Sequence, residues 1–318
     1  MTTSEHFKRL GSVGWAAFVC CPCGLNQSSP TIGPKEKTET GYVLTILRWY
    51  LSLLFLISGC TTKPNSSQPQ IAVSNSYLNA AVADLCGSDQ NTMSLVPPGM
   101  CPGHFDIKPS QVQQLCDCKI LLLFDFQQNI ENAVPRIKDK GLIVSSITAA
   151  QGMCLPDTYM DVVRQVADAL SQIYPDKKAE YDLRLESIAQ RLDSLKTQSQ
   201  SRVKDAGLTN VTVVTSAHQE IFAKWLGLNP ISTFAGRDTA TPAQINENIA
   251  AAKLTPVKFV IANQQAGTQM AAALAEHLGV YLVVFSNFPT DNNLTAPIPA
   301  FDRLVHSNID SLLEVSIR

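Results

Sequence analysis

Residues 176–206 read DKKAEYDLRLESIAQRLDSLKTQSQSRVKDA, a stretch with neither proline nor glycine. Tyr181, Leu185, Ile188, Leu192 and Leu195 recur at three- and four-residue steps and draw one apolar stripe, while most of the rest is charged or polar. The spacing predicts a single uninterrupted amphipathic helix, about 45 Å long at 1.5 Å per residue. A helix of that length spans a whole domain. With one stripe to bury, it suits a spine between two lobes.

The sequence on either side has the same rhythm. Before the spine, IAVSNSYLNAAVADLCG opens with a short apolar strand and continues with helical spacing at Leu78, Val82 and Leu85. A helix from Ser110, the strand ILLLF (120–124) and the strand within GLIVSSI (141–147) follow. Met160, Val163, Val166 and Leu170 then give a helix from Pro156 to the break at Tyr174-Pro175. After the spine come VTVVTS (211–216), the helix QEIFAKWLGL ending at Gly227, and the helix TPAQINENIAAAKL. KFVIAN (258–263), GTQMAAALAEHLG, YLVVFSNFP (281–289) and FDRLVHSNIDSLLEV complete the pattern. Strands that are continuous apolar runs, alternating with helices, predict parallel sheets covered on both faces. The expected fold is α/β, with two parallel-sheet lobes joined by one long spine helix. We place the N-terminal lobe at 71–175, the spine at 176–206 and the C-terminal lobe at 207–318. Parallel sheets take ligands outside the carboxyl ends of their strands, so two such lobes put a site in the cleft between them.

Composition sets the limits. The chain has 318 residues, 45% hydrophobic and 16% charged, with a formal net charge of -2. No basic run stands out, which argues against a nucleic-acid partner. No glycine-rich phosphate loop, nucleophile elbow or Ser-His-Asp order is present, so no enzyme and no organic cofactor are expected.

The N-terminal region reads differently. WYLSLLFLISG (49–59) is too short to span a bilayer but suits the apolar centre of a signal peptide. Ile57-Ser58-Gly59-Cys60 resembles the lipobox of bacterial lipoproteins, which implies lipidation at Cys60 and membrane anchoring outside the cytoplasm. TTKPNSSQPQ then reads as a polar tether, giving a leader at 1–59 and a lipidated tether at 60–70. Residues 1 to about 42 fit no ordinary signal peptide, and we expect translation to start later, near Leu47-Arg48. The fragment CCPC (20–23) is a weak metal signal without a second ligand pair.

One loop carries the chemistry. VPPGMCPGHFDIKPSQVQQL (96–115) surrounds a single histidine, His104, with four prolines and two glycines. Prolines restrict where the imidazole can sit before any ligand arrives, which lowers the ordering entropy lost on binding. The segment SLVPPGMCPGHFDIKPSQVQQL resembles the PPGxDPHxYxPxPSDxxxL stretch of the metal-specific substrate-binding proteins of bacterial ABC importers (the zinc/manganese, TroA-like type). VADALSQIYPDKKAEYDLRLESIAQRLDSL is similar to their helical spine, and SAHQEIFAKWLGL supports the match by position. The resemblance covers most of residues 70–315. It implies a periplasmic binding fold, a divalent metal (zinc or manganese) carried as cargo, a membrane permease as partner, and His104 as the first ligand.

The departures from that pattern fall on the other ligands. A second family histidine is expected near Gly152-Met153-Cys154, where there is none. The third aligns on Ser216, with His218 two residues on, and we take His218 as the metal-ligand candidate of the second lobe. The family carboxylates fall on Asn263 and on Ser286-Asn287, so Asn263, Asn287 and Cys154 are candidates for lining the site. Two imidazoles and neutral amides leave a divalent charge uncompensated, which is costly in a dry cleft. Asp106, Glu220, Cys101, Cys154 and water stay open as further ligands.

Five cysteines follow Cys60, and an oxidising compartment favours one or two disulfides among them, Cys101 with Cys154 for example. Thiolate ligation is the alternative. His277 and His306, both on helices, read as structural. Two other functions share the fold: a binder of a corrinoid or siderophore chelate, with Trp225 and Phe288 lining a wider cleft, and a surface adhesin with a vestigial metal site.

Overall fold

The structure is a computed structural model that describes residues 69–87, 90–100, 105–127, 129–130, 134–135, 141–236, 242–290, 293 and 295–317. Cys60, Cys101 and His104 lie outside the described residues, as do the leader and most of the tether. No described helix is long and apolar enough to cross a membrane.

Two four-stranded, wholly parallel sheets form the frame. The first contains β1 (Ile71–Val73), β2 (Thr92–Ser94), β3 (Ile120–Phe124) and β4 (Ile143–Ile147), in the order β2-β1-β3-β4. The second contains β5 (Thr212–Ser216), β6 (Asn229–Phe234), β7 (Phe259–Asn263) and β8 (Tyr281–Phe285), in the order β6-β5-β7-β8. In helical order the chain has α1 (Ser76–Cys86), α2 (Pro109–Leu115), α3 (Pro156–Ile173), α4 (Lys178–Asp205), α5 (Glu220–Trp225), α6 (Pro242–Leu254), α7 (Gln269–Leu278) and α8 (Ala300–Ser316).

Burial explains the apolar runs. All five residues of β3 are buried, because Ile120, Leu122 and Phe124 face one apolar cluster while Leu121 and Leu123 face another. β7 divides the same way, with Phe259 and Ile261 inward and Val260 and Ala262 outward. The inward residues of both sheets belong to a single core that also holds the buried side of α4. Strands buried on both faces need no alternation, and these show none.

The spine, α4, runs for 28 residues, about 42 Å. Pro175 begins a short 3-10 turn through Lys177 before the α-helix sets in at Lys178. Tyr181, Ile188, Leu192 and Leu195 are buried as the stripe requires, and Ser199 and Val203 extend it; Leu185 packs at its margin.

One charged brace joins spine and lobes. Arg191 of α4 grips Asp84 of α1 through two hydrogen bonds of 3.0 and 2.6 Å, and its Nε lies 3.3 Å from Asp302 of α8. The Tyr159 hydroxyl donates to the same Asp84 at 2.8 Å. Beside this brace Tyr159 and Phe301 stack at 3.9 Å, and Tyr77 meets Phe124, Phe288 and Phe301 edge-on. Residues from both lobes thus interlock around one aromatic knot.

Candidate functional site

The carboxyl ends of the eight strands set where a ligand can be met, and both rims carry amides and hydroxyls. On the first lobe the chain leaves β1 through Ser74 and Asn75. Asn75 Oδ1 caps α1 by accepting from the backbone N–H of Tyr77 and Leu78 at 3.0 and 3.1 Å. That fixes Asn75 Nδ2 as a donor to Ser74 Oγ, whose hydroxyl donates to Gln127 Oε1 at 2.6 Å. These groups satisfy one another and hold the rim rigid.

The proline-rich segment is tied down on both flanks of His104. Gln111 Nε2 donates to the Leu95 carbonyl at 2.7 Å, while Gln111 Oε1 accepts from the Lys108 N–H at 3.0 Å. From the other lobe, Gln265 Nε2 reaches the Gly99 carbonyl at 3.2 Å. Gly99 sits at φ +75 beside Thr290, a backbone geometry that side-chain-bearing residues rarely adopt. His104 itself lies outside the described residues.

The second rim is built around Gln265 and Asn287. Gln265 Oε1 accepts from the Asn287 N–H at 2.9 Å, and its Nε2 donates to Ser286 Oγ at 2.8 Å. Asn287 Oδ1 in turn accepts from Gln219 Nε2 at 2.9 Å. Asn263, the last residue of β7, uses its Oδ1 to accept the Ala266 N–H at 2.9 Å. Four buried groups on this rim have no hydrogen-bond partner: Thr215 Oγ1, Ser216 Oγ, Gln219 Oε1 and Asn263 Nδ2.

Cys154 bridges the lobes. It is fully buried at the end of the first lobe, and its Sγ lies 3.0 Å from the Ser286 carbonyl and 3.6 Å from Asn287 Oδ1. Asn308 Nδ2 donates to the sulfur at 3.4 Å and to the same Ser286 carbonyl at 2.9 Å. Burial pushes the thiol far above its ordinary range, outweighing the Asn308 hydrogen bond that lowers it. The group therefore stays protonated and hydrogen-bonds across the lobe interface. A free thiol at Cys154 corrects the expected Cys101–Cys154 disulfide. The sulfur is already engaged across the lobe interface. Nearby, Gly152 at φ +87 lets the backbone pass Ile221 of the other lobe, where a Cβ would come within 3.1 Å.

The remaining candidates separate clearly. Asn263 and Asn287 are buried on the second rim. His218 is exposed on the 3-10 turn Ala217–Gln219, whereas Gln219 is wholly buried. On a turn with three residues per revolution, one step swings a side chain by about 120°. The inward place that the strand-end pattern suggested for an imidazole is thus taken by an amide. Glu220 pairs with Lys224 at 2.6 Å on the outer face of α5, and Asp106 is exposed. Trp225 stacks on Phe222, and Phe288 is buried against Tyr77, so neither offers a free platform to a large chelate. His277 sits on α7 and His306 on α8, where it lines a cavity with Ser286, and burial lowers the His306 pKa, helped by nearby Arg202. No group of three or more metal-ligating His, Cys, Asp or Glu side chains occurs among the described residues. A cavity of about 930 Å³ opens between the start of α7, residues 286–290 and α8; Ser286 and Asn308 line it, while Cys154, Gln219 and Asn263 do not.

The burial of Gln219 and the rim hydrogen bonds of Gln265 were not legible, because glutamine carries no motif. Their one sequence signal is placement, each within three residues of a strand's carboxyl end.

Two parallel-sheet lobes and a continuous helical spine define the class of two-lobed α/β solute-binding proteins. Within that class the profile of ZnuA, the periplasmic component A of the zinc-uptake complex, matches residues 71–315, and the chain belongs to this family. Solved structures agree on the fold. A ZnuA crystal structure superposes with a TM-score of 0.61 at 15% identity, over 77% of this chain and 98% of that one. The Cd-bound periplasmic metal binding protein from Candidatus Liberibacter asiaticus gives 0.65 at 12% identity, over 77% and 98%. The substrate-binding protein FpvC from Pseudomonas aeruginosa, in complex with Mn2+, gives 0.63 at 16% identity, over 78% and 98%. No curated protein matches the sequence.

Proposed function

We propose that this chain captures a divalent metal, zinc or manganese, in the interlobe crevice and delivers it to the membrane permease of an ABC importer. It works outside the cytoplasm, held to the membrane through a lipid on Cys60. The lobes 71–175 and 207–318 close on the cargo about the spine 176–206. Binding and release are its whole chemistry, with no turnover. His104 supplies the imidazole from the first lobe. On the second lobe Gln219 replaces His218 as the inward donor.

The observation that carries this reading is the double clasp on the segment around His104. Gln111 holds it from its own lobe and Gln265 from the other, at 2.7 and 3.2 Å. Anchoring the flanks of a ligand-bearing segment before the metal arrives reduces the entropy lost when it binds. The chelate reading finds no support here, since Phe288 and Trp225 are committed to the core.

The test is thermal unfolding of metal-stripped protein with zinc, manganese or cobalamin added. Zinc or manganese should raise the melting temperature, and His104→Ala should remove the rise while His218→Ala keeps it. A rise with cobalamin alone, or one indifferent to His104, would rule the reading out. Anchoring is checked separately, by loss of fatty-acid labelling in Cys60→Ser.

A further inference from the structure

One short segment lies between the first lobe and an open space. After β8 the chain runs through Ser286, Asn287, Phe288, Pro289 and Thr290. Asn287 and Phe288 turn to the first lobe: Asn287 Oδ1 lies 3.6 Å from Cys154 Sγ, and the Phe288 ring meets Tyr77 edge-on at 6.2 Å. The Ser76 hydroxyl of α1 donates to the Pro289 carbonyl at 2.8 Å, and Thr290 packs against Gly99. Ser286, Pro289 and Thr290 also line the cavity of about 930 Å³, which they share with the start of α7 and with Ser307 and Ser311 of α8. Protein interiors leave few voids larger than a water molecule, whose share of liquid volume is about 30 Å³. The segment is therefore packed against the first lobe on one side and has room on the other.

Both ends of this segment are pinned to α8. Asn308 grips the Ser286 peptide at two points, accepting from its N–H at 2.8 Å and donating to its carbonyl at 2.9 Å. Further on, Arg303 donates to the Asn293 carbonyl at 3.0 Å. Between these pins the hold on the first lobe is slight: the Ser76 hydrogen bond, the Cys154 contact and one aromatic edge. Pro289 has no N–H with which to add a donated bond. Phe288, 6% exposed, is the costliest residue to move. That keeps a withdrawn state minor, on the order of 0.1–10% of the ensemble.

What the segment covers gives the movement a use. Asn287 Oδ1 holds Gln219 Nε2 at 2.9 Å, and Gln219 is wholly buried. Resting on the metal-capture reading, in which Gln219 is the inward donor of the second lobe, we propose that residues 287–290 are a gate. Pinned at both ends to α8, they swing off the first lobe into the cavity behind them and uncover Gln219, and cargo enters and leaves by that opening. Filling the cavity blocks the swing, and loosening the hold of the first lobe favours it. Neither change touches the cargo's own contacts, so each shifts the rates of entry and exit together and leaves their ratio alone.

The experiment uses the full chain and three variants. Ser76→Ala removes the hydrogen bond to Pro289, while Ser307→Trp and Gln269→Trp fill the cavity from two exposed positions on its walls. Two rates are read: labelling of the native Cys154 thiol by a small disulfide reagent, followed by peptide mass, and entry and exit of manganese or zinc by stopped flow against a chelator. Ser76→Ala should speed labelling and both metal rates about five- to tenfold, the worth of one hydrogen bond. Each tryptophan should slow all three rates, with the Kd for metal unchanged. Urea unfolding checks that each variant folds, and either tryptophan serves if the other does not. Rates indifferent to both tryptophans, or a Kd that moves because only one metal rate changes, would overturn the gate and leave metal capture standing. Labelling that shifts as stated while no variant binds metal would keep the gate and overturn the capture reading.

Discussion

At the residue scale, the most informative side chain is Asp302. It lies under the spine, 7% exposed, beside an Arg191 already committed bidentately to Asp84. Burial raises its pKa to about 6; Arg191 pulls it down, and the Asp84 charge adds to the rise. The folded chain therefore holds this proton more tightly than the unfolded chain does. The group's contribution favours the fold fully below the ordinary carboxylate pKa of about 3.9 and is lost as pH climbs through about 6. Relative to neutral pH, acidification across that window should recover on the order of 2–3 kcal/mol from this one group. Asp302→Asn should abolish that component, and the comparison is urea unfolding of both proteins at pH 4.5 and 7. Parallel curves at the two pH values would show that Asp302 ionises freely. Cys154 gives a second expectation. Its thiol should resist disulfide-exchange reagents at pH 8 in the native state and react at once after denaturation, since it is the thiolate that attacks. Cys154→Ala should cost about 1–2 kcal/mol, because the sulfur meets Ser286, Asn287 and Asn308 in one buried place.

At the scale of elements, sequence and structure agree where burial is strong. ILLLF, read as a strand at 120–124, is β3 to the residue. The spine begins two residues later than its pattern suggested, because Pro175 starts a 3-10 turn that must finish first. Two strands escaped notice. β2 is only Thr-Met-Ser, too short to show a period. β6, NPISTF, carries Pro230 next to a register shift in its partner strand, which an edge strand tolerates and a pattern reading discounts. Both are edge strands paired on one side only, and half-satisfied edges need least apolar sequence. Strand ends pointed to Asn263 and Asn287, and both are buried at the second rim. The inward turn of Gln219 rather than His218 was not legible, because it depends on the phase of a 3-10 turn. The spine lends itself to a paired test. Leu192→Ala, at 3% exposure, should cost about 2–5 kcal/mol. Leu183→Ala, at 68% exposure on the same helix, should change stability by less than about 0.5 kcal/mol. Chemical denaturation of the two variants reads the contrast, and equal losses would mean that the stripe does not set the helix's buried face.

At the scale of the molecule, the lobes are not independent bodies joined by a flexible strap. One apolar cluster runs from Ile71 and Phe124 of the first lobe, through Ile188 and Leu192 of the spine, to Phe259 and Phe301 of the second. Arg191 bridges the same three parts. Wide separation of the lobes would tear this core, so on the metal-capture reading cargo exchange should need only small movements near the rim, such as parting the single Gln265–Gly99 contact. A shared core also makes unfolding a joint event. Native-state hydrogen exchange should therefore give β3 and β7 the same opening free energy, equal to that of global unfolding within about 1 kcal/mol. Leu192→Ala should lower both together. The Gly99 and Asn287 amides, at the parting edge of the lobes, should exchange through a much cheaper local opening, and bound metal should slow them selectively. If β7 instead exchanged well below β3, the two lobes would be separate folding units. The stiffness that limits their motion would then have to come from the spine alone.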